Sequence, residues 1–180
     1  MRIQKIYYLF DNKAASWLHD LEEVDGTKIQ LRPAEKLWSF AEVYDHVMKV
    51  TRTYQIPNLK KSLTDTAVRK RRKSMQAMIV FHTTIRKNVH LKLEKFPQDL
   101  IEKFTPVKRT KEDLLEDFKK FIQEVNDLKE IVNKSTSQNK QYHPLFGDIT
   151  TKEWFALVEQ HMWQHDKQMR GLKAFLKEVK

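Results

Sequence analysis

Apolar residues recur three and four positions apart over most of the chain, and strict alternation of apolar and polar residues is hard to find anywhere. That period belongs to amphipathic helices. The first stretch, about residues 2 to 24, puts Ile3, Ile6, Tyr7, Phe10, Ala14, Trp17, Leu18 and Leu21 on one face and stops near Asp25 and Gly26. The second begins at "WSFAE", where Ser39 can cap a helix and Glu42, three residues on, completes a capping box. Val43, His46, Val47 and Val50 then share a face. A third stretch, about 66 to 95, carries Met75, Met78, Ile79, His82, Ile85 and Val89 after a basic first turn or two. Residues 96 to 109 read as a Pro-containing connection. Thr110 with Asp113 starts a fourth helix bearing Leu114, Leu115, Phe118, Phe121, Ile122, Val125, Leu128 and Val132. "NKSTSQNKQ" is too polar to pack and reads as a loop. Thr150 with Glu153 makes another capping box, and the last helix runs from there to near the C-terminus.

The prolines, at 33, 57, 97, 106 and 144, read as punctuation between these segments and not within them. About five helical segments joined by polar connections predict an all-α chain folded as an antiparallel helical bundle, in which sites form from side chains on facing helices. A chain of 180 residues leaves room for one substantial core, and no repeat or low-complexity tract divides it, so residues 1–180 are expected to form a single domain.

Composition narrows the chemistry. The chain has no cysteine, which removes disulfides, thiolate metal sites and a cysteine nucleophile together. Any metal site must therefore be built from His, Asp and Glu. No apolar run approaches the 18 or so residues of a membrane span, and the opening "MRIQKIYYLFDNKAASW" lacks the pattern of a secretory signal, so a cytoplasmic location is expected, with no membrane partner. The net charge of +10 would favour nucleic acid if it were concentrated, but the lysines are spread through every segment. The one dense run, "RKRRK" from Arg69 to Lys73, lacks interleaved aromatics and reads as a solvated helix face, which argues against nucleic acid as a partner.

The stripe on the last helix is Trp154, Leu157, Val158, His161, His165, Gln168, Met169 and Leu172, with two histidines inside it. Residues four apart stack on one helix face with roughly 5 to 6 Å between Cβ atoms, a spacing at which two imidazoles can share one metal ion. A buried ring nitrogen left without a partner costs on the order of 1 to 3 kcal/mol, so both rings need something to bind. A metal or a hydrogen-bonded neighbour would each serve. His46, on the inward face of the second helix, is the leading third ligand. His82 reads as a core histidine with a fourth-ligand or pocket role open to it, and His19, His90 and His143 read as surface, loop or capping residues. Glu42 reads as a capping residue, Asp45 and Asp166 as solvent-facing, and Tyr44 and Trp163 as packing residues, so no general base or other catalytic group is named.

"LWSFAEVYDHVMKV" and "HPLFGDITTKEWFALVEQHMWQHDKQM", with a looser match at "FTPVKRTKEDLLEDF", resemble the DinB-like superfamily of metal-binding four-helix bundles, which includes the YfiT-type metal-dependent hydrolases and thiol-dependent S-transferases. The resemblance implies a four-helix bundle and a divalent metal, nickel or zinc, held by His46, His161 and His165. It also implies a small-molecule substrate, a low-molecular-weight thiol as an optional cosubstrate, and a homodimer. Many relatives carry a histidine directly before the last ligand, where this chain has Gln164; Gln168, three residues after that ligand, is kept. The expected function is a metal-dependent hydrolase or S-transferase. The competing reading is a non-enzymatic basic bundle that binds nucleic acid or a protein partner.

Overall fold

Ile3–Glu23 forms α1 because Ile6, Tyr7, Phe10, Ala14, Trp17 and Leu21 recur at helical spacing and are all buried. Phe40–Val50 forms α2 behind a capping box in which Ser39 Oγ accepts the Glu42 N–H and the Glu42 carboxylate accepts the Ser39 N–H at 2.8 Å. The computed structural model describes residues 3–64, 72–82, 97–136 and 138–179. Helix α6 (Lys111–Asn133) starts on Thr110, and α7 (Thr151–Glu178) on a Thr150–Glu153 capping box, both as expected.

The chain is mostly helical, and α1, α2, α6 and α7 make the bundle. Helices α6 and α7 each pack on both α1 and α2. The Tyr7 hydroxyl donates to the Lys129 carbonyl while Lys111 reaches the Glu22 carbonyl, so α1 and α6 run antiparallel. His46 meets His161 while Gln55 meets Leu157, which sets α2 antiparallel to α7. The long connections, 24–39 and 65–110, let α1 run beside α7 in the same direction, with Lys13 bonded to Asp166 and Lys173 to Asp20. The core between the four helices is aromatic: Phe10, Phe40, Tyr44, Phe118, Phe121, Trp154 and Phe155 are fully buried. Each such side chain stabilises the fold by roughly 1.5–3 kcal/mol.

Several expectations need correction. Pro57 does not end a helix: α2 continues through a π-helical turn, Thr51–Gln55, into α3 (Ile56–Thr64). Proline has no N–H to donate to a carbonyl four residues back, and the wider turn, in which Ile56 N–H bonds to the Thr51 carbonyl, absorbs the missing bond. The third segment also differs. Only α4 (Met75–His82) is described there; Met75 and Met78 are exposed, and Ala77 and Phe81 fill the core face instead. The connection 96–109 contains a short helix, α5 (Gln98–Phe104), which starts after Pro97 and covers α2. The "RKRRK" run is not a solvated helix face where it can be seen: Lys73 precedes α4 and pairs with Glu153, while Arg69, Lys70 and Arg71 lie outside the described residues. Among the described residues no helix is long and apolar enough to cross a membrane.

The described part of the polar stretch after α6 is a loop through Asn139, as expected, but its last two residues, Lys140 and Gln141, open a hairpin. Lys140–His143 (β1) and Gly147–Thr150 (β2) pair antiparallel, Lys140 opposite Thr150 and His143 opposite Gly147. Gly147 makes the turn at φ +72°, and a Cβ there would lie 2.4 Å from the Arg72 carbonyl oxygen. Gly147→Ala therefore combines a left-handed conformation, itself worth about 1–2 kcal/mol, with a backbone clash. It is expected to destabilise the protein by at least about 2 kcal/mol in urea unfolding, and an unchanged midpoint would refute this account of the hairpin.

Candidate metal centre

Three histidines from two helices converge at the α2–α7 seam. His46 projects from the middle of α2; His161 and His165 lie one turn apart on α7. Their ring centroids are 5.1 Å (46 to 161), 5.2 Å (46 to 165) and 4.9 Å (161 to 165) apart, and one nitrogen from each ring lies within 4.8 Å of the other two. His46 and His161 are buried and His165 nearly so.

Hydrogen bonds decide which nitrogens face the centre. His46 Nδ1 is 2.8 Å from the Phe104 carbonyl, which can only accept, so Nδ1 carries the proton and Nε2 presents a lone pair. His165 Nδ1 is held the same way by the Gln168 amide oxygen at 2.9 Å, and its Nε2 lies 3.2 Å from His161 Nε2. Burial, the largest effect on all three rings, disfavours the imidazolium. It pulls His46 down to about 4, partly offset by the Phe104 hydrogen bond, and lowers His161 and, against the Gln168 hydrogen bond, His165; His165 also disfavours charge on His46 and His161, and His46 on His161. The rings are therefore neutral, and lone pairs on His46 and His165 meet His161 with a single proton available to share. His161 Nδ1 is buried without a hydrogen-bond partner among the described residues, so the outer side of this ring, unlike the other two, is not fixed. A cation satisfies the three converging nitrogens at once. Three neutral imidazoles with two outer N–H groups fixed by a carbonyl and an amide form a donor set compatible with a divalent metal ion.

The centre opens on a cavity of about 740 Å³. Its walls are apolar, with Leu37, Trp38, Phe104, Leu157, Leu172 and Phe175 prominent, and Trp38 lies against His46 with centroids 4.5 Å apart. Among the described residues no Asp or Glu lines it, and Lys167 is the charged residue of the lining.

The remaining sequence candidates are sorted by the packing. Asp45 does not face solvent: α5 and the segment after it cover that side of α2, and its carboxylate accepts the Val107 N–H and pairs with Lys49 and Arg109. Asp166 is bonded to Lys13 and to the Trp17 indole, so it too is structural. Glu42 caps α2 and also pairs with Arg32. Tyr44 packs in the core and donates to the Trp17 carbonyl, and Trp163 is half-buried outside the cavity lining. His143 is not a surface residue: it is buried in the cavity wall on β1, with Nδ1 accepting the Leu145 N–H. His19 is exposed, and His90 and the His82 side chain lie outside the described residues. Phe104 and Trp38 were not foreseen. A backbone carbonyl leaves no trace in a sequence; an aromatic directly before a helix cap was the only available sign of Trp38.

A family model described as the DinB superfamily matches residues 9–169, a span that includes all three histidines. No curated protein and no solved structure matches the chain.

Burial lowers His143 to about 3, below the usual 6.5 of a free imidazole, so the unfolded chain binds this proton first as the solution is acidified. Stability contributed by the neutral ring is complete above about pH 6.5 and is lost as pH falls toward 3. Replacing His143 by Phe, which keeps a ring against Phe146 and Trp154, is expected to flatten the acid side of the stability profile between these limits. Urea midpoints measured across that range check this; parallel profiles for the two proteins would refute it.

Proposed function

The chain belongs to the DinB superfamily, and on that premise we propose that it is a metal-dependent enzyme whose divalent ion is held by His46, His161 and His165. The reaction class proposed is hydrolysis or thiol-dependent transfer on a small molecule. One observation carries the reading: three neutral imidazoles, two with their outer N–H groups fixed, turn their inner nitrogens toward one point at the wall of an apolar cavity. A core histidine kept only for packing needs none of that arrangement.

A zinc or nickel ion bound there supplies Lewis-acid activation of water or of a thiol. The protein's own contributions are positional. Phe104 and Gln168 hold the rings of His46 and His165 in the tautomer that leaves Nε2 bare. Trp38 packs over both rings, and the apolar walls keep bulk water away from the centre and strengthen electrostatic interactions inside it. The cavity volume suits a ligand of ordinary small-molecule size.

The tag-free protein is expected to contain one equivalent of divalent metal by elemental analysis and to gain thermal stability on adding zinc or nickel. His165→Ala is expected to abolish both. Gln168→Leu removes only the acceptor for His165 Nδ1 and is expected to weaken metal binding about 10–100-fold in chelator competition. Protein that holds no metal and shows no shift with any divalent ion would rule out the enzyme. Screening thiols for a further, metal-dependent shift separates transfer from hydrolysis.

A further inference from the structure

Four glutamines line the cavity, and they divide into two pairs. Gln55 is committed: its amide donates to the Leu157 carbonyl and its oxygen accepts from Thr51. Gln168 is committed to His165. Gln160 and Gln164 make no side-chain hydrogen bond among the described residues, although Gln160 is only 9% exposed. They lie four apart on α7, so their carboxamides stack on one face, each directly before a metal-site histidine. Neither carboxamide is among the fully shielded unpartnered groups; both line the cavity, where a ligand can take their hydrogen bonds in place of water.

We propose that Gln160 and Gln164 bind an amide group of the small molecule that enters this cavity, and hence that the substrate is an apolar compound bearing a neutral secondary amide. A carboxamide offers N–H donors and a carbonyl acceptor without net charge. Two of them one turn apart complement a group that itself both donates and accepts. Among the described lining residues no carboxylate is present to balance a cationic group, a divalent ion on the histidines would repel one, and Lys167 is exposed to water. The surrounding apolar walls fit the remainder of such a molecule. The inference rests on the reading that this cavity is the substrate site, and it assigns Gln164, where many relatives have histidine, to substrate choice.

Three isosteric probes isolate the amide: N-benzylacetamide, 4-phenyl-2-butanone and benzyl acetate, which differ only in an NH, CH2 or O next to the same carbonyl. Calorimetric titration of the full-length protein is expected to show the amide binding about 3–10-fold tighter than the ketone or ester, as one net hydrogen bond implies. In the Gln160→Leu, Gln164→Leu double variant the amide is expected to weaken at least about 10-fold and fall behind the ketone, whose own binding changes little and reports an intact cavity. An amide preference that survives in the double variant, or the absence of any preference in the parent, overturns the proposal. Metal content measured on the same samples separates the two readings. Protein that neither holds metal nor shifts with any added divalent ion, yet still prefers the amide, refutes the enzyme and leaves this site; metal-loaded protein that does not discriminate refutes this site alone.

Discussion

Neutral imidazoles buried at one point need a partner for each inward nitrogen, and that requirement organises the α2–α7 seam. Two of the three rings are locked from outside, by the Phe104 carbonyl and the Gln168 amide. Among the described residues the third, His161, is held by burial and by His165. Protonation offers no relief, because desolvation depresses the basicity of all three. What remains is a set of lone pairs suited to a cation. Elements that otherwise look incidental follow from it: α5 exists at the right place to deliver Phe104, and the segment after it closes the outer side of α2 through Asp45.

Helix α7 carries two incompatible duties along its length, and its composition reflects the division. Its first half is almost wholly buried, with Trp154, Phe155, Val158 and Met162 in the core. Facing the cavity, the same helix sets Gln160, His161, Gln164, His165 and Gln168, a polar ladder in an apolar enclosure. Polar groups so placed lower stability unless something binds them, which is the pattern expected where a binding site is built into a core. Gly171, next along the cavity wall, has open space where a Cβ would be and keeps the enclosure wide at that level.

Much of the fold was legible in the sequence. The capping boxes at Ser39 and Thr150 and the Thr110 cap are local, three-residue events, and each starts a helix where the sequence places it. The buried stripe of α1 follows from periodicity alone. Of the candidate site, the i, i+4 pair on α7 was visible for the same reason, and His46 stood on a readable inward face. The solvent-facing assignment of Asp45 failed because a helix's outer face is outer only until another element covers it, and α5 was hidden in a stretch that read as a connection. Pro57 was misread because a π-turn can carry a helix past a proline without any mark in the residue pattern.

The amino-acid sequence by itself determined the helices, their caps, their apolar stripes and the absence of any cysteine chemistry, since all of these are settled by neighbours within a turn or two. Only the tertiary structure decided which polar groups lack partners. It brought His46 to His161 and His165 across the seam, turned the Phe104 carbonyl onto the first of them, placed His143 in the wall, and left Gln160 and Gln164 without a side-chain partner among the described residues while Gln55 and Gln168 were satisfied. Hydrogen bonding is a short-range, directional interaction. Whether a buried nitrogen or oxygen is satisfied therefore depends on atoms tens of residues away in the chain, which no local pattern records.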